Sequence, residues 1–283
     1  MRIALAANRA SGGGLDPEPL IAAMRDAGAE VSAGGCGAAD LEALAASGPD
    51  RIAVAGGDGT IGPAAAMAGR IGVPLAVIPT GTANDFARVH GLPGDPVEAA
   101  RLAASGTRME ALELGRLADG YPFVNVASGG LAPVAARGAQ PLKPFLGPLA
   151  YAVGALHAAL SQHALPVTVR VDGRPAFDGG CWQVIVAVTG AFGGGSGVEE
   201  ADPSDGRLDV VVIPAGSRIA LARRAWGLRT RTIAQQRRVG HHRGEVVAVT
   251  LPPGTELNVD GELRAGGLER VTVSRAAFEL VVG

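Results

Sequence analysis

This sequence of 283 residues contains few lysines and cysteines and has little net charge. The formal net charge is only −2, so composition gives no general attraction to nucleic acid or to an anionic membrane. Lys143 is the only lysine, and the other Lys/Arg positions are therefore all arginine. The two cysteines, Cys36 and Cys181, lie far apart in the sequence, which favours free thiols in a reducing compartment over a disulfide.

Long apolar runs are also missing. The longest, Pro144 to Leu160, is interrupted by glycine, proline and histidine, and is too short for a confident membrane span. The N-terminal run Arg2–Ala7 is too short for the core of a signal peptide and is better explained as a first strand. The 43 glycines follow no period, which excludes a collagen-like segment, and the apolar fraction of 47% is enough for a sizeable core. We expect a cytoplasmic protein, either soluble or peripheral to the inner face of the membrane.

The first 115 residues or so alternate short apolar runs with alanine-rich stretches. Strands are predicted at Arg2–Ala7, Arg51–Ala55 and Leu75–Pro79. Helices are predicted at Pro17–Ala27, Ala38–Ser47, Ile61–Ile71 (with Pro63 in its first turn) and Val97–Ser105. This alternation predicts a largely parallel sheet with helices on both faces.

Near Leu112 the pattern changes from alternating strands and helices to a succession of strands. Strand-like runs follow at Phe123–Ala127, Val167–Asp172, Trp182–Thr189, Leu208–Ile213, Glu245–Leu251 and Glu256–Val259. Two helical segments interrupt them, near Leu146–Ser161 and Arg218–Gln235. We predict an α/β nucleotide-binding domain at 1–118, completed by a last strand at 277–283, and a mainly antiparallel β-sandwich domain at 119–276.

The strongest chemical signal is Gly56-Gly57-Asp58-Gly59-Thr60, directly after a buried strand. Glycines let the backbone approach a ligand closely, and their N–H groups next to a helix N-terminus form an anion-binding site. Asp58 would repel bare phosphate, but it is compatible with a divalent cation between the two. The alternative is a plain strand-to-helix turn in which Asp58 only caps the helix.

A second loop, Pro79 to Arg88, follows the next strand with the sequence Pro-Thr-Gly-Thr-Ala-Asn-Asp-Phe-Ala-Arg. In open α/β sheets, ligands bind beyond the carboxyl ends of the strands, so the two loops are expected to converge on one site. Thr82 and Asn84, taken alone, could be ordinary turn residues.

Together the two loops resemble the diacylglycerol kinase catalytic family, particularly its bacterial soluble lipid kinases; NAD kinases and sphingosine kinases share the first motif. The resemblance extends along the whole chain. It includes Leu112–Gly115, Phe123–Asn125 with Gly129-Gly130, Leu146–Tyr151, Asp205–Asp209 and Asp260-Gly261-Glu262. It implies the two-domain NAD kinase/diacylglycerol kinase-like fold, with ATP and Mg²⁺ in the cleft between the domains.

The resemblance also implies roles for matching residues. The nucleotide set is Asn8, Gly12, Gly56, Gly57, Asp58, Gly59, Thr60, Ile61, Thr82 and Asn84. Asp58, Asp85 and Glu113 would surround a catalytic magnesium through waters, and Asp202, Asp205 and Arg207 would hold a second, structural one. Glu262 would accept the proton of the lipid hydroxyl. A solvated hairpin turn at Glu262, and a charged surface turn at Asp202–Asp209, are the alternatives.

A lipid kinase must reach a substrate in a bilayer. The apolar segment Leu142–Leu160 would suit a wall beside the cleft, although its pattern favours the alternative, an ordinary buried helix of the second domain. Between Asp209 and Glu245 there is no acidic residue but eight arginines, so Arg218–Arg243 is a candidate for contact with an anionic membrane, with a solvated helix face as the alternative. No nucleic-acid partner is expected, and a homodimer is left open.

Two other functions stay open. An NAD kinase shares the Gly-Gly-Asp-Gly-Thr motif, but the Thr82–Phe86 loop and the Asp205 loop weigh against it. A nucleotide- or lipid-binding protein that has lost catalysis is the third hypothesis. It rests on departures from the family pattern, namely Gly62-Pro63 where Asn-Glu is frequent and Glu113 where Asp is usual.

Overall fold

The computed structural model describes residues 1–131, 133–134, 164–198, 201–217, 221, 223–224, 226–227, 230, 232–236 and 238–283. The chain forms two compact units, Met1–Leu114 with Ser274–Gly283, and Gly115–Val273. The predicted helix near Leu146–Ser161 and the apolar segment Leu142–Leu160 lie outside the described residues. So do four arginines of the Arg218–Arg243 segment, namely Arg218, Arg229, Arg231 and Arg237.

The first unit is built on a parallel sheet. Its strands are β1 (Arg2–Ala7), β2 (Glu30–Gly34), β3 (Arg51–Gly56) and β4 (Leu75–Pro79). They lie in the order β2-β1-β3-β4 with every pair parallel, and Leu280 near the C-terminus pairs in parallel with Leu75 of β4. The helices are α1 (Glu18–Asp26), α2 (Ala38–Ala46), α3 (Asp58–Ile71), α4 (Asp85–Val89) and α5 (Pro96–Ser105), and β5 (Met109–Arg116) follows them.

Both faces of this sheet are covered by helices, because successive side chains of a strand point to opposite faces. Leu5, Ala53 and Ile78 pack with α1 and α5 in one core. Their neighbours in sequence, such as Ala6 and Val54, are equally buried, and α2 and α3 contact these strands from the other side. The predicted α/β arrangement is confirmed.

Helix α3 begins three residues earlier than predicted. Its first turn closes at the glycines, where Thr60 donates its N–H to Gly57 O (3.0 Å) and Asp58 is already helical. Pro63 therefore lies inside the helix instead of in its first turn, and it has no N–H to donate to the carbonyl of Gly59. The prediction placed the start too late because it treated the glycines as a loop.

Three elements of this unit, β2, α4 and β5, were not predicted. Among the described strands, β2 pairs only with β1, at the edge of the sheet. Val31 is its only large apolar residue, so the strand shows no clear alternation of apolar and polar side chains. α4 has five residues, too few for helical periodicity to be visible.

The second unit is antiparallel throughout its described strand pairs. Its strands are β6 (Pro122–Phe123), β7 (Val126–Gly130), β8 (Leu165–Val171), β9 (Arg174–Ala187), β10 (Ala191–Phe192), β11 (Ser196–Gly197), β12 (Leu208–Pro214), β13 (Gly240–Gly244), β14 (Val246–Thr250), β15 (Leu257–Val259), β16 (Glu262–Arg264) and the first part of β17 (Leu268–Val281). β9 is the central strand: its first half pairs with β8, and its second half lies between β7 and β12. The prediction of a mainly antiparallel lobe is confirmed.

Both faces of the β9–β12 pair are buried. Val184 and Val210 point into the larger core, which also contains side chains of β8 and β14. Ile185 and Val211 point the other way, into a second core that contains Leu221. The hydrophobic runs of these strands are therefore continuous because each face has its own apolar partner.

The two cysteines are free thiols, as predicted. Burial raises the pKa of both Cys36 and Cys181 to about 11, so at neutral pH each is a protonated, weakly reactive group. In the part of the chain that the structure describes, no helix has both the length and the apolarity needed to cross a bilayer.

Gly69 provides a test of the packing in the first unit. A Cβ on this residue of α3 would overlap the carbonyl oxygen of Ala277 in β17. Gly→Ala in a helix ordinarily stabilises by about 1 kcal/mol, but here we expect Gly69→Ala to lower the free energy of unfolding by about 1–3 kcal/mol, the cost of overpacking. Urea unfolding followed by circular dichroism measures the change.

Gly94→Ala is the matched control, because a Cβ there meets nothing within 4 Å. A Gly69→Ala variant as stable as the Gly94→Ala variant would contradict the close approach of α3 and β17.

Candidate active site

Three loops meet at the carboxyl edge of the parallel sheet in the first unit. They follow β1, β3 and β4, and they start side by side because the strands are in register. Asn8 donates its N–H to Ala55 O (2.8 Å), and Thr80 donates its N–H to Gly56 O (3.0 Å). The predicted convergence of the two glycine-containing loops is therefore confirmed, and the loop after β1 joins them.

Glycines allow these loops to touch backbone to backbone. A Cβ on Gly81 would lie 2.5 Å from the Cα of Gly57, so neither loop could keep its position with a larger residue at Gly81. Gly12 has a φ of 62°, and a Cβ there would lie 2.6 Å from Thr80 O. This edge therefore presents main-chain groups directly before the N-terminus of α3, where the helix dipole favours an anion.

Hydroxyl groups hold the loops together. Ser11 Oγ donates to Thr80 O (2.9 Å), and Thr80 Oγ1 donates to Ser11 Oγ (3.2 Å). Thr60 Oγ1 donates to Gly57 O (2.7 Å), across the first turn of α3. Thr80 was not predicted as a site residue, and Ser11 was predicted only as part of the stretch from Asn8 to Gly12. Both are small hydroxyl residues directly beside glycines, which is the signal they leave in the sequence.

Asn84 shapes its own loop. It adopts the left-handed conformation (φ 50°), and its side-chain amide makes two bonds with Gly81. Its Oδ1 accepts the N–H of Gly81 (2.9 Å), and its Nδ2 donates to Gly81 O (2.9 Å). Thr82, between them, is exposed. Of the two predicted nucleotide contacts in this loop, Asn84 sets the geometry and Thr82 faces solvent.

Two other predicted nucleotide residues have side chains with local roles. The Asn8 Oδ1 accepts the N–H of Ala10 (3.1 Å), which closes the turn after β1. Ile61 is 2% exposed, so its side chain belongs to the core and only its main chain could contact a ligand. Gly56 and Gly59 complete the set at the β3–α3 turn.

Asp58 joins α3 to α4. Its Oδ1 accepts the N–H of Phe86 (2.8 Å), and its Oδ2 accepts the N–H of Asp85 (3.1 Å). A carboxylate in this position satisfies N–H groups that have no partner within a helix, so Asp58 caps α4 across the loop contact. Asp85 is 2% exposed and forms an ion pair with Arg88 (Oδ1 to Nη1, 2.7 Å).

The third acidic residue predicted around magnesium, Glu113, lies on β5 in the same unit and is 3% exposed. Among the described residues, no group of three or more His, Cys, Asp or Glu side chains is close enough to hold a metal directly. Magnesium characteristically keeps several waters, so Asp58, Asp85 and Glu113 fit the predicted role only as ligands that act through water. That role stays a prediction.

In the second unit, Asp260 is the central polar residue. It is 7% exposed and accepts the main-chain N–H groups of Val124 (2.8 Å), Asn125 (2.9 Å) and Val126 (2.9 Å). Asn125 in turn accepts a bond from Thr189 Oγ1 (2.5 Å). The motifs Phe123–Asn125 and Asp260–Glu262 were predicted separately, and the structure shows that they form one hydrogen-bonded unit.

Glu262 follows Asp260 and Gly261, both with positive φ (48° and 91°), in a tight hairpin turn. Its side chain is exposed at the start of β16. Burial, followed by the negative charge of Glu262, raises the pKa of the nearby Tyr121. The guanidinium of Arg264 lies over the ring of Tyr121, 3.5 Å from its centroid. Glu262 therefore stands on an anchored backbone with its carboxylate accessible.

The predicted second metal loop is held by an arginine. Arg243 of β13 forms an ion pair with Asp205 and places its Nε 3.3 Å from Asp209 Oδ1. His241 Nε2 lies 2.6 Å from the same oxygen, and Asp209 is fully buried. A structural cation at Asp202, Asp205 and Arg207 stays a prediction, and it would compete with Arg243 for the carboxylate of Asp205.

Comparison with known proteins places this architecture in a family. Residues 2–116 match the model of the diacylglycerol kinase catalytic domain, and residues 125–282 match the YegS C-terminal NAD kinase beta sandwich-like domain. The chain is 34% identical over 253 residues to "Probable lipid kinase YegS-like" of Pseudomonas putida, covering 84% of this chain and 79% of that protein. It is 32% identical over 189 residues to "Diacylglycerol kinase" of Mycobacterium tuberculosis, covering 65% of this chain and 61% of that protein.

Solved structures show the same fold. A diacylglycerol kinase from Bacillus anthracis superimposes with a TM-score of 0.78 at 22% identity, covering 100% of this chain and 97% of that chain. An NAD kinase from Archaeoglobus fulgidus in complex with ATP superimposes with a TM-score of 0.54 at 16% identity, covering 99% of this chain and 93% of that chain. The predicted two-domain kinase-like fold is confirmed.

The contact between the two glycine loops can be tested with Gly81→Ala. The added methyl would push the loop after β4 away from Gly57, so we expect binding of Mg·ATP, measured by isothermal titration calorimetry, to weaken about tenfold or more, a loss of about 1.4 kcal/mol. Gly94→Ala should bind as the wild type does. Unchanged affinity in Gly81→Ala would show that these loops do not form the nucleotide site.

The role of Asp260 can be tested with Asp260→Ala. The variant leaves three buried N–H groups without their carboxylate acceptor, so the free energy of unfolding should fall by about 3 kcal/mol or more. Asp178→Ala, which removes an exposed carboxylate from the same unit, should change it by less than about 0.5 kcal/mol. Urea unfolding measures the stability of both variants. Equal stability would contradict the role of Asp260 as acceptor for the N–H groups at 124–126, which we call the Asp260 clamp.

Proposed function

Since the chain belongs to the diacylglycerol kinase family, we propose that it transfers the γ-phosphoryl group of ATP to a lipid hydroxyl, most directly that of diacylglycerol, giving phosphatidic acid. The observation that carries the proposal is the contact of Gly57 with Gly81 in front of the N-terminus of α3. Two main-chain loops held at that distance leave no room for side chains at the helix end, and they favour a phosphate chain as the ligand.

In this proposal the first unit binds the nucleotide. Main-chain N–H groups of Gly57 to Gly59, together with the loops at Gly12 and Thr82, hold the phosphates, while Asn84, Ser11 and Thr80 keep the loops in place. Phosphoryl transfer depends mostly on positioning and on neutralising the charge of the phosphate oxygens, so a rigid main-chain site is a suitable catalyst.

Magnesium, when bound, would supply positive charge between the phosphate oxygens and the carboxylates. Asp58, Asp85 and Glu113 are the residues that would hold it, through water. Asp58 is oriented for this by the N–H groups of Asp85 and Phe86, and Asp85 is oriented by Arg88.

Glu262 is the proposed general base. An alcohol is a weak nucleophile, and a carboxylate that takes its proton as the oxygen attacks the γ-phosphorus contributes about 100- to 10,000-fold. The exposed carboxylate of Glu262 is open to an incoming hydroxyl, and the Asp260 clamp fixes its backbone. We propose that the second unit binds the lipid and that the protein works at the inner face of the membrane, where ATP is available.

The proposal is tested with purified protein, labelled ATP and magnesium, offered either diacylglycerol in mixed micelles or NAD. We expect labelled phosphatidic acid from the first mixture and no labelled product from the second. Product from NAD alone would instead assign NAD kinase activity and overturn the proposal.

Glu262→Gln tests the catalytic assignment. The amide cannot accept the proton, so kcat with diacylglycerol should fall about 100- to 10,000-fold, while the Kd for Mg·ATP stays unchanged. Glu269→Gln, an exposed carboxylate in the same unit, should keep wild-type turnover. If wild type and Glu262→Gln both bind ATP and both show the same near-zero turnover, the protein is a nucleotide-binding member that has lost catalysis.

A further inference from the structure

The arginine-rich segment of the second unit has an inner and an outer side. Leu221, Arg223, Arg224, Trp226 and Gly227 are helical, and Thr230 donates its N–H back to Trp226 O (2.9 Å). Leu221 is buried in the same core as Ile233. Arg223, Trp226 and Thr230 are all exposed, and their spacing of three and four residues places them together on the outer side of the helix.

The chain then returns beside this helix. Gln236 donates its side-chain N–H to Arg223 O (3.0 Å), and Gly227 is packed so closely against Gln236 that a Cβ would overlap it. Two residues further on, Arg238 is exposed. We call the exposed group Arg223, Trp226, Thr230 and Arg238 the Trp226 face.

The arginines of this segment are not equivalent, in contrast to the sequence-based hypothesis that treated them alike. Arg224 is 6% exposed and donates to Pro214 O, and Arg243 is paired with Asp205 and Asp209. Both have structural roles. Charge reversal at Arg224 would damage the fold and could not report on membrane contact.

Positive charge accumulates at the Trp226 face. Burial, followed by the charge of Arg238, lowers the pKa of Arg224, which shows that like charges lie close together here. No acidic residue occurs between Asp209 and Glu245. Within the described parts of the chain, no carboxylate forms a salt bridge with Arg223 or Arg238. Such a cluster is stabilised by an anionic partner.

Trp226 is the second unusual feature. Its exposed fraction is 69%, against 44% for Met1 and 37% for Val89, the other exposed large apolar residues among those described. Tryptophan is enriched at the level of lipid headgroups, where one side of the ring is apolar and the N–H is hydrated. A tryptophan between unpaired arginines therefore matches an anionic bilayer surface in both polarity and charge.

We propose that the Trp226 face docks the protein onto an anionic lipid bilayer, with Trp226 inserted among the headgroups and Arg223 and Arg238 over anionic lipids. The proposal rests on the proposed function for the identity of the occupant, because a kinase acting on diacylglycerol must work at a bilayer. Because the net charge is −2, the chain as a whole is not attracted to an anionic surface, and the Trp226 face supplies a local attraction.

Vesicle sedimentation without ATP tests the docking independently of catalysis. Wild type should bind vesicles that contain phosphatidylglycerol, bind phosphatidylcholine vesicles at least tenfold more weakly, and be released by 1 M salt, which shortens the screening length to about 3 Å. Arg223→Gln should lower the partition coefficient about fivefold, equivalent to about 1 kcal/mol per basic residue. Trp226→Ala should lower it about tenfold or more.

Arg174→Gln is the matched control, since Arg174 is also exposed in the second unit but lies at the start of β9, directly after the turn from β8. It should bind vesicles as wild type does. Tryptophan fluorescence gives a second readout, because the sequence has only two tryptophans and Trp182 is buried. Anionic vesicles should shift the emission of wild type to shorter wavelength and leave that of Trp226→Ala unchanged.

Kinase assays separate this proposal from the proposed function. With short-chain diacylglycerol in neutral detergent, Arg223→Gln and Trp226→Ala should keep wild-type kcat, and on anionic vesicles they should lose activity in proportion to binding. An active kinase whose variants bind vesicles as tightly as wild type would overturn the docking and leave the kinase function standing. Salt-sensitive vesicle binding by a protein without kinase activity would overturn the kinase function and leave the docking standing.

Another occupant would also overturn the docking proposal. If Trp226→Ala converts a dimer into a monomer in sedimentation velocity, and wild type ignores anionic vesicles, the Trp226 face is an interface between two copies of the chain.

Discussion

The candidate active site depends on one constraint, the approach of Gly57 and Gly81 to a distance that admits no Cβ at Gly81. The constraint arises from the parallel register of β3 and β4, which brings Gly56 O to the N–H of Thr80 and starts both loops at the same level. The contacts around the site support this approach. Thr60 closes the first turn of α3, the Asn84 amide bonds to Gly81, and Gly12 packs against Thr80 O. The polar side chains act mostly on the main chain, and in the proposed function it is the main chain that would contact the phosphates.

Sequence reasoning could predict the fold class and strands β1, β3 and β4, because a buried parallel strand leaves a compact apolar run such as Leu75–Pro79. It could not predict β2 or α4, whose signals are too short. It placed the start of α3 wrongly because glycines are compatible with both loops and helix N-termini. In the site, the residue types indicated which positions matter, but not what they do. Asn84 was expected to contact the nucleotide, and in the structure its amide bonds to Gly81.

Contacts that depend on register were beyond prediction from sequence. Asp209 and Arg243 are cross-strand partners in β12 and β13, and nothing in the sequence pairs residues so far apart. The same holds for Asp260 and the N–H groups at 124–126, which the chain brings together over more than a hundred residues. Arg224 and Arg223 are adjacent in sequence, yet one is buried and the other exposed, because a helix turns successive side chains by about 100°.

The carboxylate of Asp58 has a mechanical consequence. It belongs to the first turn of α3 but accepts hydrogen bonds from the first N–H groups of α4, so this carboxylate links the N-termini of the two helices. A displacement of the loop after β4 would therefore also displace the first turn of α3, so the N-termini of the two helices are expected to move together. A change in the loop at Thr82 would therefore be transmitted to the glycine turn through the carboxylate of Asp58.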